Sequence, residues 1–131
     1  MKIERFEDVK AWQAARTLAD VVYTASDDTP FSKDFGLRDQ IRAAAGSTMH
    51  NVAEGFDAGS DSEFIRFLKY SRRSASEVQS QLYIALDRRY ITQDQFQRIY
   101  DQATSVKKLI NAFIAYLRKS TPPRPPDHPT T

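Results

Sequence analysis

Four stretches of this chain repeat apolar residues at steps of three and four, and no stretch alternates apolar with polar residues as a half-buried strand would. That period restricts the fold more than any other feature. In the first stretch Val9, Trp12, Ala15, Ala19, Val22 and Tyr23 fall on one helical face, with Phe6 placed to staple the start, and Pro30 ends it. In the second, Leu37, Ile41, Ala44, Ala45, Thr48, Val52 and Phe56 do so. The third runs through Phe64, Phe67, Leu68, Ser71, Ala75, Val78, Leu82, Ala85 and Leu86, and the fourth through Phe96, Ile99, Tyr100, Ala103, Val106, Ile110, Phe113, Ile114 and Leu117. Ser60-x-x-Glu63 and Thr92-x-x-Gln95 predict capping boxes at the last two starts.

Four amphipathic helices on short loops pack most simply as an all-α, up-and-down antiparallel four-helix bundle. The expected domain spans residues 1–119. The stretch 120–131 holds five prolines in twelve residues and predicts an extended, disordered tail. With 131 residues there is enough chain for one core, and no apolar run is long enough for a membrane span. Charges are scattered through the first twelve residues, which excludes a secretory h-region and predicts a cytoplasmic protein. Zero cysteines exclude disulfides, thiolate catalysis and Cys-ligated metals.

The small run "AAAGS" at 43–47 predicts close approach of a neighbouring backbone over Gly46, at about 1 kcal/mol relative to Ala. Gly55 suits the following chain reversal. Two polar stripes flank the apolar faces of the middle helices: Ser47, Asn51 and Glu54 on the second, and Ser74, Glu77 and Gln81 on the third. Antiparallel pairing is expected to set Asn51 level with Glu77, Glu54 with Ser74 and Ser47 with Gln81. Read this way, the six residues form a structural seam of donors meeting acceptors. Glu54 with Glu77 as an acid–base pair, or His50 with Glu54 as the start of a metal site, is the competing reading. It is the weaker one, because the chain has two His, one of them in the tail, where a di-metal bundle needs a Glu-x-x-His on each of two helices. No phosphate loop, nucleophile elbow or dinucleotide fingerprint occurs. No catalytic residue, metal or cofactor is expected.

Charge is unevenly placed. Residues 1–63 carry seven Lys/Arg against twelve Asp/Glu, and residues 64–119 carry eleven against four. Such asymmetry suits either a basic surface for RNA or DNA or attraction between the halves, within one chain or between copies. Arg66, Lys69, Arg72 and Arg73 on the third helix, with Lys107 and Lys108 on the fourth, are the candidate phosphate-contacting strip; a solvated charged face is the plainer reading. Trp12, Phe64 and Phe67 lie on core periods and are read as packing residues. Tyr70, Tyr83, Tyr90, Tyr116, Phe31 and Phe35 remain once the core stripes are assigned, and this surplus predicts association with further copies.

The segments "FEDVKAWQAA", "FGLRDQIRAAAGSTMHNVAEGF" and "FLKYSRRSASEVQSQLYIA" resemble the four helix bundle protein family, first found encoded within intervening sequences of bacterial 23S ribosomal RNA genes. The resemblance covers about residues 6–118, and Asn51-x-Ala53-Glu54-Gly55 with the downstream Ser-x-x-Glu is fairly specific to the family. It implies a cytosolic bundle that forms a ring-like homo-oligomer, five subunits being the expected number, without established enzymatic activity. Related accessory proteins of retroelement reverse transcriptases imply nucleic-acid binding through a basic face. The chain departs from the family pattern at Met49, in place of Pro, at Arg73, in place of Gly, and at Gln79, in place of Glu. Without that Pro the second helix is expected to be straighter.

Overall fold

A computed structural model of the chain describes residues 2–120. It contains four helices: α1 (Lys10–Asp27), α2 (Phe35–Phe56), α3 (Asp61–Asp87) and α4 (Gln93–Ser120), with short 3-10 turns at Phe6–Asp8 and Phe31–Lys33. Among the described residues there is no strand. Ser120 closes α4, and the rest of the proline tail expected over 120–131 lies outside the described residues.

Local chemistry explains where the helices start. The Asp34 carboxylate accepts from the Leu37 amide at 3.1 Å and caps α2. Thr92 and Gln95 form the full reciprocal box at α4, with bonds of 3.1 and 2.8 Å. At α3 only half of the predicted box exists. Ser60 Oγ accepts from the Glu63 amide at 3.2 Å, but the Glu63 carboxylate turns to the Arg66 guanidinium at 2.7 Å instead of back to Ser60. A charge-assisted bond outcompetes one to a neutral amide. α3 ends with the Tyr90 and Arg89 amides bonded to the Ala85 and Leu86 carbonyls, a Schellman pattern that places Arg89 at φ 62.

Each helix packs against two neighbours, α1 on α2 and α4, and α3 on α2 and α4, which closes the up-and-down bundle. The core holds most of the predicted stripes of α2, α3 and α4, with Phe56, Leu86, Tyr100 and Phe113 half-buried against it, together with Ala11 and Leu18 of α1, which lie outside the predicted stripe. Phe67, predicted on the α3 stripe, is half-buried outside this core and meets the Tyr70 ring edge-on at 5.9 Å. Tyr23, predicted on the α1 stripe, is instead 47% exposed and lies under the Arg42 guanidinium at 4.5 Å. Phe6 packs edge-on against half-buried Trp12, the ring centroids 5.2 Å apart. α2 is continuous through Met49.

The close approach expected over Gly46 occurs at Gly55 instead. A Cβ on Gly46 would meet only the His50 ring, at 3.5 Å, so no neighbouring helix needs that glycine. A Cβ on Gly55 would stand 2.7 Å from a Phe64 ring carbon and 2.9 Å from Phe67 Cβ. Gly55 is still helical, and the left-handed residue of the reversal is Gly59, at φ 91. Gly55 is therefore the point at which α2 and α3 press together.

Candidate nucleic-acid interface

The Gly55 contact and the short loop after Phe56 fix how α2 and α3 line up. Ser47 lies opposite Ser74 and not Gln81, two helical turns away from the predicted register. A loop of Asp57–Ser60 is too short to allow the predicted offset. The seam that results is shorter and less charged. Ser74 donates to Ser47 Oγ at 3.0 Å, and Asn51 Nδ2 donates to Ser47 Oγ and to the Ser47 carbonyl, both at 2.9 Å. Ser71 donates to the Thr48 carbonyl, and Thr48 donates to the Ala44 carbonyl at 2.9 Å. Asn51 therefore satisfies its own helix and does not face Glu77.

The outer members of the predicted seam separate from it. Glu54 and Glu77 are both exposed, and Glu77 and Gln81 border an open groove with Gln40, Ala43, Ala44, Ser47 and Ser74. The Gln81 Oε1 atom is buried without a hydrogen-bond partner among the described residues. Gln79, two residues before it on α3, is buried, and its amide donates to the Tyr100 carbonyl at 3.2 Å and to Thr104 Oγ1 at 2.9 Å. Two donors are needed there, which a Glu would not supply. Among the described residues, no three His, Asp or Glu side chains gather closely enough to hold a metal ion.

The six basic residues do not form one strip. Lys69, Arg72, Arg73 and Ser76 share one face of α3, and with Lys107 and Asn111 of α4 they surround an open depression of about 420 Å3. Two bonds across the helix pair hold this cluster in place. Arg72 Nη1 donates to Asn111 Oδ1 at 2.6 Å, and Lys107 Nζ donates to Ser76 Oγ at 3.2 Å. Both partners are neutral, so the positive charge is uncompensated. None of the six lining residues is acidic.

Arg66 stands apart from the cluster. Its guanidinium is bound to Glu63 at 2.7 Å and to Tyr70 Oη at 2.9 Å. The hydrogen bond from Arg66 holds the Glu63 carboxyl below its ordinary range, and the same bond raises the already high Arg66 value. The half-buried Tyr70 ring lies 5.5 Å beneath both the Arg66 and the Arg73 guanidinium. Lys108 is exposed but does not border the depression. Of the six cations expected from sequence spacing, Lys69, Arg72, Arg73 and Lys107 border the depression and Arg66 and Lys108 do not; the cross-helix partners Ser76 and Asn111 are not marked by the period of a single helix.

Together these features define a class: an antiparallel helical-bundle protein with a short hydroxyl-rich seam between its middle helices and a cationic depression between its last two. The chain belongs to the 23S rRNA-intervening sequence protein family, whose pattern matches residues 7–112. It is also similar to a solved structure of a protein of unknown function from the S23 ribosomal protein family of Bacteroides thetaiotaomicron. The two share 24% identity over 80% of this chain and 95% of that one, with a TM-score of 0.73. At that identity the likeness is one of fold. No curated protein matches the chain. Among the described residues, no helix is long and apolar enough to cross a membrane.

Proposed function

We propose that the protein is a non-enzymatic cytoplasmic bundle that assembles with copies of itself and holds RNA or DNA by the phosphate backbone, with little regard to sequence. One observation carries this reading: Lys69, Arg72, Arg73 and Lys107 converge from two helices on a depression bordered by no carboxylate. Cations so placed release counterions from a polyanion and read no bases. Assembly is supported by Phe35, Tyr83 and Tyr116, which are 60%, 51% and 57% exposed, and the family resemblance makes a ring of five the expected form. The surplus is smaller than the sequence predicted. Phe31 is buried, while Tyr70 and Tyr90 are half-buried against their own chain. In a ring the depression repeats, so weak sites add through effective concentration.

The test is a titration of single-stranded RNA and DNA against salt concentration, run beside light scattering on the 15.0 kDa chain. Binding is expected at low salt, similar for unrelated sequences and falling steeply as salt rises. Lys69→Glu with Arg73→Glu, both at exposed positions, should abolish binding while leaving the helical circular dichroism unchanged. Absence of binding by the intact protein at low salt sinks the nucleic-acid reading, and a monomeric mass sinks the assembly. A second reading is favoured by the charge imbalance between the two halves. If the acidic half of a neighbouring copy covers the depression, the same double reversal lowers the mass of the assembly instead.

A further inference from the structure

The shape of the basic face suits one kind of phosphate better than another. A strand that continues past a site needs cations spread along its path, because its charge is distributed one phosphate at a time. Here the charge is gathered. Lys69, Arg72, Arg73 and Ser76 occupy about two turns of α3, roughly 10 Å, and Lys107 and Asn111 face them from α4 across one depression. Toward the start of α3 the track stops. Arg66, the next cation, is neutralised by Glu63, and Tyr70 sits between it and Arg73 beneath both guanidinium groups. A phosphodiester chain running that way meets a carboxylate where it needs a cation.

We propose that this depression is a site for a phosphate monoester, with the terminal phosphate of an RNA or DNA strand as its occupant. This rests on the nucleic-acid reading above and narrows it. A monoester carries close to two negative charges and three acceptor oxygens, whereas a bridging diester carries one charge. The depression offers donors to match. Arg72 commits one of its five N–H groups to Asn111, and Lys107 commits one of its three to Ser76. Among the described residues, Lys69 and Arg73 form no ion pair. Asn111 and Ser76 act as positioning residues, holding Arg72 and Lys107 toward each other so that the charges need not be gathered anew when the anion arrives. The same chemistry would also accept the phosphate of a free mononucleotide, so both sources belong in the test.

The experiment compares one short single-stranded sequence in three forms, with a 5′-phosphate, with a 3′-phosphate and with hydroxyls at both ends, each carrying its fluorophore away from the end under test. Binding is followed by anisotropy at low salt, and a nucleoside monophosphate is titrated separately by calorimetry. At least one phosphorylated end is expected to bind about tenfold tighter than the hydroxyl form. That advantage should vanish in Lys69→Ala and in Arg73→Ala but persist in Lys33→Ala, which removes an exposed charge elsewhere. Equal affinity for all three strands overturns the monoester site and leaves backbone binding intact. If no strand binds but the monophosphate does, and loses binding in the same two variants, the monoester site stands and the nucleic-acid reading falls. If neither strand nor monophosphate binds, both fall.

Discussion

Gly46 and Gly55 look alike in the sequence, each a small residue in a helix near a small-residue run, but the structure gives them opposite roles. The Gly55 contacts leave no room for a methyl group, and the atoms it would meet include the Cβ of Phe67, which cannot swing aside. Gly55→Ala is therefore expected to destabilise the bundle by about 1 to 3 kcal/mol, the cost of overpacking. Gly46→Ala meets only ordinary contact with His50, so the better helix former should stabilise by about 0.5 to 1 kcal/mol. Urea unfolding of the two variants checks both signs, and a stabilised Gly55→Ala would contradict the close approach. Periodicity identifies which residues face inward but not how near the partner lies. That depends on atoms from another helix, which is why the two glycines were misread.

At the scale of elements the same limit recurs. The four helices and most of their buried faces were legible because each apolar stripe repeats many times, so single errors such as Leu18 do little harm. Register was not legible, since it depends on a single loop and a single contact at Gly55, and a wrong register separates Asn51 from Glu77 altogether. Loops also meet each other. Tyr90, in the turn before α4, donates its hydroxyl to Asp34 Oδ2 at 2.9 Å and stacks on Phe31 at 5.4 Å, joining the α3–α4 turn to the α2 start. The hydrogen bond to Asp34, together with partial burial, raises the Tyr90 phenol above its ordinary value of 10.0. The folded state thus favours the protonated phenol. Its contribution is present in full below the unfolded value and is lost as pH rises through the folded one. Tyr90→Phe should be less stable than the parent at neutral pH, and the gap should close as pH climbs past 10. A gap in urea midpoint that stays constant across that range would show that the bond to Asp34 plays no part.

For the whole molecule, three of the four interfaces join helices that follow one another in the chain, and the fourth does not. α1 and α4 meet across sequence distance, as where Gln102 Nε2 donates to the Ala14 carbonyl at 2.9 Å, 88 residues apart. α1 also starts without a side-chain cap, Val9 having no group to offer. Hydrogen exchange in the native protein is expected to find α1 amides opening at lower free energy than those of α2 and α3. If all the helices exchange together at the global limit, the bundle opens as one unit and the expectation fails. The order of assembly follows from the same pairing. Bringing the two ends of a long loop together is entropically costly, while a hairpin such as α2–α3 closes over four residues. A chain emerging residue by residue can form that middle hairpin early, but the inner face of α1 waits for α4 to be made before its second neighbour exists. During that interval Leu18 and its companions are bare, and for a nascent chain that is the period of greatest exposure to the wrong partner.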